Sequence, residues 1–360
     1  MLLVDTKSIV NITDINDVLQ FPSWTFYILK AYLILLIIVS VLGNTLVLYG
    51  SYRYNAIKMD EVSLILLQNL AIADLMLVCL WEVPSLITLM YKRWILGQIV
   101  CFVTGFIVFI PGSSEIQILT VISLYKVLSL VRPLRVCAIT RTHARRCVTL
   151  IWASSAFTAM TGLAMKHYAY FDPFWLNCAT SMLVDPSQFI VNIIFVTLVS
   201  MLPLLIIVGS NIIILYVSSH YSAKHGGSAL PSKNALITVT LVSSMFVIAM
   251  LPVTVRTWLQ IVQGEITASF FVLQGQIYYI SMMCNPVIYT FTNVRFRGFI
   301  KDLTKGFPKT LSSYWGAAIR RVIKPEQRRS PPKRIPEQRR AQPKRVTADN
   351  FLNKQFESAI

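Results

Sequence analysis

Charge is scarce in this chain, and acid is scarcer than base: 14% of its 360 residues are charged, with 16 Asp and Glu against 33 Lys and Arg. So little charge, with 55% hydrophobic residues, argues against a set of soluble domains. Histidine is sparse too. His143, His167, His220 and His225 lie in loops or at the ends of apolar runs. None pairs with His, Asp or Glu inside such a run, so no metal or hydrolytic centre can be assembled and no enzyme is expected. Six cysteines are too few and too scattered for a disulfide scaffold. The first 26 residues show no basic-then-apolar signal pattern. No repeat relates the two halves of the apolar region, which speaks against a transporter without removing the transporter or channel alternative.

What is there is a series of apolar runs, each long enough to cross a bilayer as a helix of about 20 residues. They read as Tyr27–Ser51, Val62–Met90, Gln98–Leu130, Thr142–Met165, Ser187–Val217, Ser232–Val262 and Ala268–Thr292. The expected fold is an all-α membrane protein, a seven-helix bundle over 27–292. Residues 1–26 precede it as an extracellular N-terminus, a short interfacial helix follows at 293–304, and 305–360 form a disordered basic tail. Alternate loops carry Arg53 and Lys58, then Arg132, Arg135, Arg141, Arg145 and Arg146, then Lys224 and Lys233. The opposite loops carry few cations, so the basic side is cytoplasmic and the N-terminus outside. The formal charge of +17 comes largely from the tail. That location suits anionic lipid at the inner leaflet, and without a folded basic module no nucleic-acid partner is expected.

Smaller signals follow the same topology. Asn11-Ile-Thr13 is a glycosylation sequon on the outer side. Phe296, Phe299, Ile300 and Leu303 recur at helical spacing between Arg295, Arg297 and Lys301, which suits a helix lying in the interface. The segment Pro325–Ile335 recurs as Pro336–Val346, and its prolines exclude a continuous helix. The terminal Ser358-Ala-Ile360 fits a strand that a PDZ domain could take up. Cys79, Cys137, Cys147 and Cys284 lie in apolar runs or on the reducing side, leaving Cys101 and Cys178 as the outward-facing pair.

The third run holds two charges, Glu115 and Lys126, eleven residues or about three helical turns apart and so on one face. Lipid would penalise either by roughly 2.5–3.5 kcal/mol near the bilayer centre, so that face must look inward.

Residues inside the runs narrow the choice. Gly43-Asn44, Leu70-Ala-Ile-Ala-Asp74, Trp94 before Cys101, Trp152, Pro203, Phe246, Pro252 and Asn285-Pro-Val-Ile-Tyr289 occur in that order. Over about residues 27 to 303 the chain resembles a rhodopsin-like (class A) G-protein-coupled receptor. The resemblance implies a Cys101–Cys178 disulfide, an extracellular ligand and a heterotrimeric G-protein partner. It also implies a polar network of Asp74, Asn44 and Asn285 that rearranges on activation.

At the inner end of the third run the chain departs from the family. Where Asp/Glu-Arg-Tyr is common it has Tyr125-Lys126-Val127; the switch tyrosine of the fifth run is Asn211, and the tryptophan before Pro252 is Met250. Tyr289 is kept. Lysine retains the cation but not the planar fork of arginine. Two readings stay open: a working receptor whose resting state lacks the usual ionic restraint, or a receptor-like scaffold, scavenger or heteromer partner without coupling. Glu115 replaces a common serine facing Asp74. Two carboxylates so placed need a sodium ion between them or must share a proton, unless Glu115 bonds a neighbouring polar group with no ion. Beyond that ion no cofactor is expected. Val108 stands where amine receptors carry an aspartate, and Tyr279 where opsins carry the retinal lysine, which disfavours both ligands. Glu82 and Arg256, with Phe109, Gln260 and Tyr278, make a two-sign cavity suited to a peptide or zwitterion, unless Glu82 and Arg256 pair with each other.

Overall fold

The computed structural model describes residues 15, 22–53, 60–164, 169–173, 175–180, 193–194, 197–224, 233–263 and 269–304. Asn11, the repeat, the terminal tripeptide and the rest of the tail beyond 304 lie outside the described residues. Seven spans form one bundle. The first is α1 (Ser23–Arg53). The second runs as α2 (Glu61–Leu77), a π turn (Val78–Glu82) and α3 (Val83–Tyr91). The third is α4 (Gly97–Ile107) followed by α5 (Phe109–Val131), and a short α6 (Pro133–Val136) leads to the fourth, α7 (Arg141–Ala164). The fifth is a π turn (Thr197–Met201) and α8 (Leu202–Lys224), the sixth α9 (Lys233–Gln263) and the seventh α10 (Ser269–Thr292). Among the described residues five of these helices meet the length and hydropathy of a membrane span; α7 and α10 complete the bundle.

The breaks in the helices follow from proline. Pro111 has no N–H for the carbonyl four residues back, Ile107, and α4 gives way to α5 at Val108. Pro84 acts likewise on the second span, immediately after its π turn. The third span packs against the second, fourth, fifth and sixth, so its inward face is the bundle axis. The outward faces are apolar: Leu150, Phe157, Met160 and Leu205 are each more than 60% exposed, as a surface solvated by lipid requires.

Polar groups knit the spans where no water competes. Ser113 and Ser114 both donate to Ser155 Oγ at 3.0 Å, and Gln117 bridges Ser113, Ser154 and Ser155, so small hydroxyls join the third and fourth spans. Trp152 Nε1 donates to Asn69 Oδ1 at 3.1 Å, fixing the fourth span on the second.

The outer loop after the fourth span holds a feature beyond an all-helical expectation, a two-stranded antiparallel hairpin of β1 (Ala169–Asp172) and β2 (Asn177–Thr180). Cys178 on β2 is bonded to Cys101 on α4. Gly105, one turn further in, gives the hairpin room: a Cβ there would meet the Ala169 side chain at 3.1 Å. At the other end, α11 (Val294–Thr304) follows the seventh span. Asn293 Oδ1 accepts from Phe296 N at its start, and buried Phe296 and Phe299 hold it against the bundle, with Phe299 beside the Tyr49 ring.

Candidate functional site

Three polar centres lie along the bundle axis. The innermost is built on Asp60, which caps α2 by accepting from Ser63 N at 2.7 Å. The same Oδ1 accepts from the Tyr125 hydroxyl at 3.0 Å, and Oδ2 lies 3.7 Å from Lys126 Nζ, an ion pair too long for a hydrogen bond. Lys126 also donates to Ser63 Oγ at 3.1 Å and is 4% exposed. The usual acid is absent beside the cation of the third span, and in its place Lys126 meets a carboxylate of the second span. The acid has moved to the second span. Lysine suffices here because one carboxylate oxygen and a hydroxyl, unlike a paired fork, ask only for a compact cation. Val127 turns instead to the small apolar cluster of Ile214 and Leu236.

Asn211 does not stand idle in place of a tyrosine. Its Oδ1 accepts from Ser243 at 2.9 Å and its Nδ2 donates to Ser244 at 3.2 Å, joining the fifth and sixth spans. Tyr289 is buried in the inner core with Phe296 and Phe299.

The middle centre joins Asp74, Asn285, Asn44 and Glu115, all buried. Asn285 Nδ2 donates to Asp74 Oδ2 at 2.9 Å, as expected. Asn44, beside Asp74, has a further task. Pro286 cannot donate to the carbonyl of Met282, four residues before it, and Asn44 Nδ2 fills that place at 3.2 Å. Gly43 lets the two spans approach so closely: a Cβ there would lie 2.5 Å from Pro286 Cγ. Glu115 does not bond Asp74. Its Oε2 accepts a long 3.4 Å bond from the Tyr278 hydroxyl, while Glu115 Oε1 and Asp74 Oδ1 have no hydrogen-bond partner.

The outer centre lies under the hairpin. Tyr279 donates to the Trp175 carbonyl at 3.2 Å and shares a 2.9 Å hydrogen bond with Ser85, and Asn177 Nδ2 donates to the Trp81 carbonyl at 3.0 Å. The Trp81 and Trp175 rings meet edge to face at 5.6 Å. Glu82 is completely buried with neither carboxylate oxygen hydrogen-bonded. Val108, Phe109 and Met250 pack in the adjoining apolar cluster with Tyr278 and Tyr279. The side chains of Arg256 and Gln260 lie outside the described residues.

Sequence reasoning missed Asp60, Ser63 and Trp175. An Asp three residues before a Ser at the start of an apolar run is a helix-cap signal and could have pointed to the first two; nothing local marks Trp175.

A bundle of seven spans with a disulfide-tethered outer hairpin and an axial Asp–Asn centre defines a seven-helix membrane receptor. The sequence profile of the 7 transmembrane receptor (rhodopsin family) matches residues 43–289, and the chain belongs to that family. It is thus a multi-pass membrane receptor of the G-protein-coupled class. Opsin-5 of Homo sapiens is 29% identical over 287 residues, covering 74% of this chain and 78% of the relative. Melatonin receptor type 1A-A of Danio rerio is 28% identical over 182 residues, 50% of this chain and 51% of the relative. Squid rhodopsin shares the fold, with a TM-score of 0.70 at 21% identity over 86% of this chain and 93% of that one.

Proposed function

We propose that this chain is a plasma-membrane receptor that binds an extracellular peptide or small zwitterion in its outer half and activates heterotrimeric G proteins. The basic loops and tail support an outside N-terminus and a cytoplasmic C-terminus. Retinal is disfavoured by Tyr279, whose hydroxyl is engaged by Ser85 and Trp175 and cannot form a Schiff base. Amines that need an aspartate on the third span find Val108 there.

The observation that carries the reading is the grip of Asp60 on Tyr125 and Lys126. A cation held by a cap residue of the neighbouring span is a two-state element: bound to Asp60 at rest, and released to meet the G protein when the inner ends separate. G-protein activation in cells expressing the wild type, Asp60→Asn and Lys126→Ala tests it. Asp60→Asn is expected to raise basal signalling and Lys126→Ala to remove the stimulated response. Signalling equal to untransfected cells in all three would replace this reading with that of a receptor-shaped scaffold, scavenger or heteromer partner.

The middle centre fits a sodium ion. Asp74 Oδ1 and Glu115 Oε1 are buried carboxylate oxygens without a donor, and these two residues would hold the ion. The charge it supplies would offset the repulsion between them. A sodium titration of basal signalling tests this, and an identical response in Glu115→Ser would remove the ion from the reading.

A further inference from the structure

Glu82 is the buried charge that neither the inner latch nor the middle centre uses. It is eight residues beyond Asp74, and in a regular helix of about 3.6 residues per turn that spacing swings it about 80° off the face of Asp74. Trp81, seven residues on, would take that face instead. The π turn Val78–Glu82 takes up one extra residue, which brings Glu82 back over Asp74 and into the bundle. Such a turn is costly in regular packing, and here its product is a carboxylate at 0% exposure with no hydrogen bond to either oxygen.

Among the described residues no cation and no hydrogen-bond donor meets this carboxylate. Trp81 and Trp175 stand edge to face nearby, the latter brought in by the Cys178 tether. A hard metal ion wants several oxygen ligands, whereas Glu82 offers a single carboxylate. One carboxylate among aromatic faces is the environment of an organic cation.

We propose that Glu82, aimed inward by the π turn next to Trp81 and its partner ring Trp175, is the counter-ion for an alkylammonium group of the extracellular ligand. The inference rests on the receptor reading and names the charged half of its ligand.

The probe is n-butylammonium chloride, added to the purified full-length protein in lipid nanodiscs, with potassium and sodium chloride at equal ionic strength as controls. The wild type is expected to gain about 3 °C in Tm with butylammonium, by preferential binding to the folded state. Glu82→Gln should lose that gain, and Glu82→Asp should keep it. The Tm of Glu82→Gln without ligand shows whether it folds, and Glu82→Asp separates charge from shape. No gain in the wild type, an equal gain in Glu82→Gln, or a Glu82-dependent gain with sodium alone would each overturn the proposal. The measurement uses no G protein, so a butylammonium shift in a chain that activates none supports the ammonium site while the coupling reading fails.

Discussion

The inner and outer halves of this bundle treat buried charge in opposite ways. At the inner end Lys126 is met by Asp60 and Ser63, and the same carboxylate holds Tyr125 and the start of α2. Further out, Glu82 has no hydrogen bond at all, and Asp74 and Glu115 each keep one oxygen without a partner. An ionised group at membrane depth is tolerated only when neutralised. Among the described residues the inner charges are therefore met within the chain, whereas the outer and middle carboxylates are not. The proposed latch and the proposed ligand and ion sites rest on that asymmetry.

The largest effect that would break the contrast is loss of the outer tether. The disulfide joins residues 77 apart in sequence. Chain entropy gives a loop of that size about 4–5 kcal/mol, with the measured effect of removing such bonds commonly about 2–5. Cys178→Ser should lower Tm steeply and speed hydrogen exchange at Trp175–Thr180, while exchange around Tyr125 and Lys126 changes little. Equal loss of protection at both ends would mean that the halves do not behave separately.

Next is the latch. Asp60→Ala leaves Lys126 buried without its carboxylate, at a cost of about 3 kcal/mol. The double variant with Lys126→Met removes the orphaned charge and should recover much of that loss. The coupling from the full double-mutant cycle, read by thermal unfolding in nanodiscs, measures the pair. Additive effects would show that Asp60 acts only as the cap of α2.

Between the halves stands Gly43. Gly43→Ala puts a methyl 2.5 Å from Pro286 Cγ, where backbone and ring both resist movement. The first and seventh spans must part, straining the Asn44 bond to Met282, and overpacking of this kind costs about 1–3 kcal/mol. An unchanged Tm would show that the seventh span has slack at Pro286.

Much of this was legible along the chain. Apolar runs, breakers and the asymmetry of Arg and Lys marked the spans, because lipid demands continuous apolar helix. Asn285 on Asp74 and Cys101 with Cys178 could be read from motifs in order. The latch could not, because Asp60 and Tyr125 are 65 residues apart and meet only when the second and third spans pack. Asn44 was assigned to Asp74, and no motif marks its further bond to the Met282 carbonyl orphaned by Pro286. Glu82 was read as a cavity residue, but the device that aims it was hidden, because the π turn changes the phase of the helix without changing its composition.

The smallest predicted effect is the most discriminating. Glu115→Gln keeps an oxygen for Tyr278 and removes only the charge. If the inner and outer halves differ as described, this variant is neutral or more stable, within about 1 kcal/mol of the wild type in potassium chloride, because nothing in the protein is left unpaired by the loss. Asp60→Asn, the same chemical change in the inner half, should by contrast cost clearly more, since there the charge itself faces Lys126. Thermal unfolding of the two variants side by side makes the comparison. A loss in Glu115→Gln as large as that in Asp60→Asn would show that the chain itself neutralises Glu115, and the need for a sodium ion would disappear with it.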